Sequence, residues 1–169
     1  LGRDGRCYAA PEVTPGTYVT PAGAAAFRQL SANIGYQCEH EPRRDASGSP
    51  STLEEIRKKS SVPWSAECYA IPSGTAGTPP DIHAILLAAF GGTAGYTNTG
   101  STSDAYAFSG TQGARGAFSF TCEHNGIWMR QARGCVVEQW SFAAGGSDHP
   151  KWSFSGKAMG YTHTGYSTL

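Results

Sequence analysis

The chain has 169 residues, and its 13 basic and 13 acidic side chains give a formal net charge of zero. That length suits one domain with a sizeable core, and the neutrality argues against a nucleic-acid-binding protein. The sequence contains no run of eighteen apolar residues and no charged-then-apolar leader, so we expect neither a membrane span nor a signal peptide in it. A content of 22 Gly and 10 Pro favours a turn-rich β protein over a helical enzyme.

The first 23 residues are predicted to form an N-terminal arm in front of a single β-sandwich domain at residues 24–169. Proline recurs between residues 11 and 21, and a central strand tolerates proline poorly. We expect part of this arm to dock on a neighbouring molecule or on a sheet edge.

A strand is predicted from Phe27 to His40 and another from Val62 to Ile71, with a long polar loop at residues 41–60 between them. The loop is too hydrophilic for the core and too long for a tight turn, and such loops often carry function or assembly contacts. Its basic and acidic side chains are interleaved, which is typical of a solvated face or a protein–protein contact rather than a phosphate site.

The most distinctive element is a helix predicted at residues 79–90. Thr78 is expected to act as N-cap with Asp81 completing a capping arrangement, and Gly91 is expected to end the helix. His83 falls on the polar side. The remaining apolar positions form one stripe that predicts packing against a sheet, namely Ile82, Ile85, Leu86, Ala89 and Phe90.

After the helix we expect a Gly/Thr/Ser-rich connector from Gly91 to Ser103 and then strands with a hairpin turn at Gly145–Asp148. The predicted strands are Ala105 to Ser109, Ala117 to His124, Cys135 to Ala143 and Lys151 to Ala158.

Alternation within three strands separates an apolar face from a small polar face that bears one carboxylate. These carboxylates are Glu39, Glu67 and Glu123. The apolar face is predicted to meet the core and the acidic face to meet water. The strand from Cys135 to Ala143 breaks this rule, because Glu138 shares its face with apolar residues.

The five cysteines are odd in number and widely spaced, which favours buried free thiols over a disulfide scaffold. The tripeptide Cys-Glu-His occurs at residues 38–40 and 122–124 and would supply zinc ligands if the two strands were neighbours. The spacing matches no zinc finger, and cysteine in an apolar alternation is more often core, so we expect no metal.

Two chemical alternatives rest on the carboxylates and the tryptophans. The three glutamates would serve a glycosidase only if two of them faced each other across a cleft, which the sequence does not indicate, and no common catalytic motif is present. The four tryptophans would suit a sugar-binding platform, but strand tryptophans are more often core, and only Trp128 follows a turn-like Asn-Gly pair.

The order of several motifs resembles the major tail tube protein family of long-tailed, siphovirus-like bacteriophages and related gene transfer agents. The resembling segments are Glu12 to Thr17, Arg57 to Gly74, Pro79 to Gly91 and, more loosely, Gly134 to Met159. The resemblance implies an antiparallel β-sandwich or barrel with a flanking helix, hexameric rings whose inner sheets join into a barrel, and stacking into a tube that conducts DNA. It implies no enzyme activity and no cofactor.

The same resemblance implies a virion protein of the tail, made in the host cytoplasm, with no membrane contact. Its partners would be further copies of itself and other tail proteins such as the tape measure, terminator and distal tail proteins, while DNA passes without specific binding. Glu39, Glu67 and Glu123 would line the lumen, because carboxylates repel phosphates. Contacts between rings would use the charged loop residues Arg43, Arg44, Asp45, Glu54, Glu55, Arg57, Lys58 and Lys59.

A monomeric carbohydrate-binding β-sandwich is the main alternative, and a glycosidase-like enzyme is the third. Assembly into rings or tubes separates the first hypothesis from the other two.

Overall fold

The computed structural model describes residues 5–42, 55–100, 103–109, 116–124, 127–146 and 148–165, without the side chain of Ala24. Within these ranges the protein is mainly antiparallel β with a single α-helix, α1 (His83–Phe90), and short 3-10 turns at Gly23–Ala25 and Gly92–Gly95. The strands are β1 (Gly5–Glu12), β2 (Ala26–Phe27), β3 (Ser31–Ile34), β4 (Gln37–Glu41), β5 (Ile56–Tyr69), β6 (Tyr96–Asn98), β7 (Asp104–Tyr106), β8 (Ala117–His124), β9 (Trp128–Ala143), β10 (Lys151–Ala158) and β11 (Gly160–Gly165). The predicted fold class is confirmed. None of the helical segments described has the length and apolar character required to cross a lipid bilayer.

The main sheet has the strand order β2-β1-β8-β9-β10-β5-β3, with β4 also paired to β5 and β11 also paired to β9. The long strand β9 belongs to two halves of this sheet. Up to Cys135 it pairs with β8, and from Val136 onwards it pairs with β10. We call β1, β8 and the first part of β9 the N-terminal half, and we call β3, β5, β10 and Val136–Ala143 the serine half.

The core lies between the apolar faces of the two halves and helix α1. Trp64 of β5 is 2% exposed and packs edge-on against Phe118 and Phe120 of β8, with ring centroids 5.1 and 5.7 Å apart. Burying each of these aromatic side chains contributes about 2 to 3 kcal/mol before entropy is counted. Helix α1 packs against β1, β8 and β9, so the prediction that it lies against a sheet is confirmed.

The helix begins at His83 rather than at residue 79, and neither Thr78 nor Asp81 caps it. The carbonyl of Thr78 instead accepts a hydrogen bond from Ser73 at 2.6 Å, and Asp81 pairs with Arg28 at 3.4 Å. The end at Gly91 is confirmed, since this residue has a φ of 104°, a left-handed conformation that glycine adopts without strain. Residues 84–88 are all buried, so this short helix is enclosed rather than amphipathic.

Two predicted strands, β8 and β10, have the bounds expected from the sequence, and the hairpin between β9 and β10 is confirmed. The N-terminal arm predicted at residues 1–23 contains a strand, because Gly5–Glu12 forms β1 and pairs along the whole of β8. The only proline of β1, Pro11, is the second-last residue of this strand. Strand β11 was not predicted; it continues the line of β10 alongside the first part of β9.

Other boundaries also differ from the prediction. The strand expected from Phe27 to His40 is divided into β2, β3 and β4. Ile56–Ser60, placed in the polar loop, is the beginning of β5, because it pairs with β4. The connector expected from residue 91 to 103 contains β6, which forms a separate two-stranded sheet with β7.

Candidate functional site

The serine half carries two rows of small polar side chains on the face that points away from the core. Each row runs across four antiparallel strands, as the register of the pairs shows. The first row is Ser31, Glu67, Ser153 and Ser141, and the second row is Asn33, Ser65, Ser155 and Gln139. The opposite face of β5 is buried at Trp64, Ala66 and Cys68, which confirms the alternation predicted for this strand.

The face is concave and forms an open hollow of about 720 Å³, lined by the first row and by all of the second row except Asn33. Ser31 donates to Glu67 at 3.5 Å. Lys157 pairs with Glu138 at 3.4 Å, and Lys151 lies 6.0 Å from the centre of the Tyr69 ring. The described lining includes neither histidine nor cysteine.

Both lateral edges of the serine half are open among the described residues. Strand β3 is the last strand of the main sheet and pairs with β5 alone. Val136–Ala143 of β9 pairs with β10 on one side, and the described residues provide no strand on the other side. An open edge exposes backbone N–H and C=O groups that pair readily with another strand.

The N-terminal half has the same kind of polar face, but the chain covers it. Ser119 and Thr121 of β8 are both 0% exposed, so the prediction that this face of β8 meets water is wrong. Tyr18 lies within 2.8 Å of the Thr121 hydroxyl, and Gln131 donates to the Tyr18 hydroxyl at 2.7 Å. The backbone N–H of Val19 donates to Ser119 at 2.9 Å.

One carboxylate fixes the start of this covering segment. Glu12 accepts hydrogen bonds from the Ser119 hydroxyl at 2.7 Å, from Gly134 N–H at 2.8 Å and from Gly16 N–H at 2.6 Å. Burial raises the pKa of Tyr18 even though its two hydrogen bonds act in the opposite direction. The predicted arm thus docks on its own sheet through residues 12 to 19.

The three glutamates predicted to share an acidic surface are not brought together. Glu67 lies in the hollow of the serine half. Glu123 lies in the N-terminal half, where it accepts a hydrogen bond from the Tyr8 hydroxyl at 2.9 Å. Burial raises the pKa of Tyr8, and this hydrogen bond raises it further. Glu39 is exposed on β4, at an irregularity of its pairing with β5.

Half of the charged residues predicted for contacts between rings lie outside the described residues, namely Arg43, Arg44, Asp45 and Glu54. The other four are exposed. Arg57, Lys58 and Lys59 lie on the ribbon formed by β4 and the start of β5, and Glu55 directly precedes β5.

Neighbouring side chains hold some of these charges along the ribbon. Lys58 pairs with Glu41 at 2.9 Å, and Glu55 lies 3.5 Å from His40. The Arg57 guanidinium donates to the Tyr36 hydroxyl.

The arrangement required for a zinc site is not present in the described residues. The two Cys-Glu-His tripeptides lie on β4 and β8, which are not neighbours, and no group of three or more possible ligands occurs in the described part of the chain. Trp128 is the first residue of β9 rather than part of a turn. Its ring centre lies 5.9 Å from that of His124 and 4.8 Å from the Arg130 guanidinium.

Sequence reasoning missed the two polar rows as a unit. The alternation identified Ser65 and Glu67 in β5. The same spacing of Ser153 and Ser155 was the signal that could have placed β10 in the same polar face. Joining them required the register of four strands, which no local pattern contains.

Neither a protein-family model nor a curated protein matches the sequence. Solved structures match over nearly the whole chain. A chain of the anti-feeding prophage baseplate, determined by cryo-EM with six-fold symmetry, has a TM-score of 0.59 at 6% identity, with 99% of this chain and 97% of that chain covered. A chain of the native gene transfer agent virion has a TM-score of 0.52 at 9% identity, with 97% and 98% covered.

A chain from the tail of an empty gene transfer agent particle, refined with helical C6 symmetry, has a TM-score of 0.51 at 10% identity, with 99% and 98% covered. At such identities the likeness establishes the fold alone. The chain has the fold of proteins from these phage-like particles, which confirms the resemblance at the level of fold.

Proposed function

We propose that this protein is a structural subunit of a phage-like tail tube, in which rings of identical copies stack into a conduit for DNA. The observation that carries the proposal is the pair of open edges on the serine half. One edge is β3 and the other is Val136–Ala143 of β9, and they lie at opposite sides of one four-stranded unit. Joining β3 of one copy to β9 of the next would close the serine halves of a ring into a continuous barrel and would leave neither of these two edges open.

Six copies per ring agree with the symmetry stated for two of the similar structures, the prophage baseplate and the gene transfer agent tail. Four strand segments from each copy would then form the wall of the tube. The concave polar face of the serine half would face the lumen, and helix α1 and the N-terminal half would lie outside. The two open edges, rather than any arrangement of side chains in the hollow, support a structural role over a catalytic one.

The lumen in this arrangement is polar and close to neutral. A conduit must not hold its cargo, and hydroxyl groups offer DNA none of the charge that retains phosphates through counterion release. Glu67 is the carboxylate of the serine rows. Lys151 and Lys157 lie at the two ends of β10 on the same side as Ser153 and Ser155, and Lys157 pairs with Glu138. The proposal therefore assigns the lumen carboxylate to Glu67, while lumen positions for Glu39 and Glu123 stay predictions.

Contacts between stacked rings are proposed for the ribbon of β4 and β5 and for the charged residues predicted next to it. The exposed ion pair of Lys58 and Glu41 shows that charges of both signs lie on this ribbon. Deleting residues 43–54 spares the paired strands, and we expect it to give rings that no longer stack. Unchanged tube lengths in electron micrographs would contradict this role. Tape measure, terminator and distal tail proteins would be the further partners of such a tube.

The decisive experiment combines negative-stain electron microscopy with light scattering on the purified chain. We expect rings or hollow tubes whose mass grows with protein concentration. A monomer at every concentration would contradict the proposal and leave the carbohydrate-binding alternative, which a glycan screen would then test.

One substitution tests the edge itself. Gly35 N–H donates to Pro63 C=O at 2.9 Å in line with the register of β3 and β5, so by alternation the N–H of Ala32 points away from β5. Ala32→Pro removes this outward donor, and proline is tolerated at a strand edge. We expect a folded protein that forms no tubes, whereas Ala32→Ser, which keeps this N–H, still forms them. Tubes from Ala32→Pro would contradict pairing at β3.

A further inference from the structure

Two thiols face each other in the centre of the N-terminal half. Cys7 of β1 and Cys122 of β8 are direct partners in the antiparallel register. Their Sγ atoms are 3.0 Å apart, and the two residues are 0% and 1% exposed. Both are free cysteines.

The register makes this pair suitable for a disulfide. Directly opposite residues of antiparallel strands have Cα atoms about 4.5 or 5.5 Å apart, and disulfides accept Cα separations of about 4.4 to 6.8 Å. A bond between these sulfurs therefore requires side-chain rotation and little movement of the backbone. The other buried cysteines lack such a partner, since Cys68 lies opposite Trp152 and Cys135 lies opposite Phe118.

We propose that Cys7 and Cys122 form an oxidation site, at which a small-molecule disulfide such as oxidised glutathione produces an internal disulfide that fastens β1 to β8. The bond would join positions 115 residues apart in the sequence. It would hold the strand that leads into the covering segment at residues 12 to 19. This inference concerns the single chain and does not depend on assembly into tubes.

The reaction proceeds by two thiol–disulfide exchanges. One cysteine loses its proton and attacks a sulfur of oxidised glutathione, which forms a mixed disulfide and releases one glutathione thiolate. The second cysteine loses its proton and attacks the protein sulfur of the mixed disulfide, which releases the second glutathione. The protein loses two protons and two electrons, and the oxidised glutathione takes them up as two thiols.

Burial controls the rate of this reaction. The Cys7 thiol is removed from water, which raises its pKa strongly, and the neighbouring Cys122 raises the pKa further. The thiolate is the attacking species, so oxidation waits until β1 separates from β8. Among the described residues, the other side of β1 pairs with just the two residues of β2, so local opening of this strand breaks few backbone pairs besides those with β8. The thiols would stay reduced in a reducing compartment and become a disulfide after long exposure to oxidising surroundings.

The test uses the full chain, incubated with oxidised glutathione at pH 8 and then alkylated and digested without reduction. We expect an intact mass lower by two hydrogen atoms and a linked peptide pair that contains Cys7 and Cys122. Oxidation should accelerate in mild urea, and the oxidised protein should melt roughly 5 to 10 °C higher than the reduced protein.

Two variants separate this site from the other thiols. Cys122→Ser is expected to lose both the linked peptides and the rise in melting temperature, whereas Cys68→Ser is expected to keep both. A bond between Cys122 and Cys135, a stable mixed disulfide on Cys7, or unchanged thiols in mild urea would each overturn the proposal. The peptide map of the wild-type chain decides the matter even if Cys122→Ser does not fold.

Discussion

The two halves of the main sheet share the same alternation of apolar and small polar residues, yet only one of them leaves its polar face open. In the serine half Ser65 and Ser153 are exposed, whereas in the N-terminal half Ser119 and Thr121 are completely buried. The difference comes from the segment at residues 12 to 19, which covers β8 and bonds to its hydroxyls. Alternation therefore identifies the face that meets the core, but the rest of the chain decides whether the other face meets water.

The strongest test of this comparison removes one carboxylate from each half. Glu12→Ala leaves two backbone N–H groups and the Ser119 hydroxyl without their acceptor, and we expect a loss of about 3 kcal/mol in the free energy of unfolding. Glu67→Ala removes a carboxylate from an open face and should cost less than about 0.5 kcal/mol. Urea unfolding of both variants measures this difference. Equal losses would mean that the covering segment does not hold the N-terminal half.

The next test uses tubes and asks which carboxylate faces the cargo. Glu67→Lys changes the charge by two units per copy in every ring. We expect its tubes to retain duplex DNA about tenfold more strongly than wild-type tubes at low salt, with the effect disappearing at high salt. Glu39→Lys and Glu123→Lys test the other two lumen predictions in the same assay. If Glu67→Lys tubes retained no DNA, the serine face would not line the lumen.

The alternation of β5, the bounds of β8 and β10, and the helix end at Gly91 could be read from the sequence because each depends on local residues. The cover over β8 could not, because it joins residues about a hundred positions apart, as in the contact of Val19 with Ser119. Strand β1 could not be predicted from the sequence for a similar reason. Its eight residues lack a strong alternation of their own, and its position between β2 and β8 follows from long-range pairing.

A smaller effect is expected from single hydroxyl groups. Thr121→Val keeps the shape of the side chain but removes the partner of the Tyr18 hydroxyl, which Gln131 still contacts. We expect a loss of about 1 kcal/mol. The matched change in the open half is Ser153→Val, which should alter stability by less than about 0.5 kcal/mol because valine suits a strand. A larger loss from Ser153→Val would show that the serine face is packed in the monomer.

The smallest effect concerns the pH dependence of the covering segment. Burial raises the pKa of Tyr18 above that of an exposed tyrosine, so its deprotonation is easier in the unfolded chain than in the folded protein. Its contribution to stability is fully present below the unfolded pKa of about 10 and is lost as the pH rises through the higher folded pKa. We expect Tyr18→Phe to be less stable than the wild type at pH 8, and we expect this gap in the free energy of unfolding to narrow between pH 9 and 11. Urea titrations of both proteins across that range measure the gap, and a gap independent of pH would place the Tyr18 hydroxyl in water, with the N-terminal half as open as the serine half.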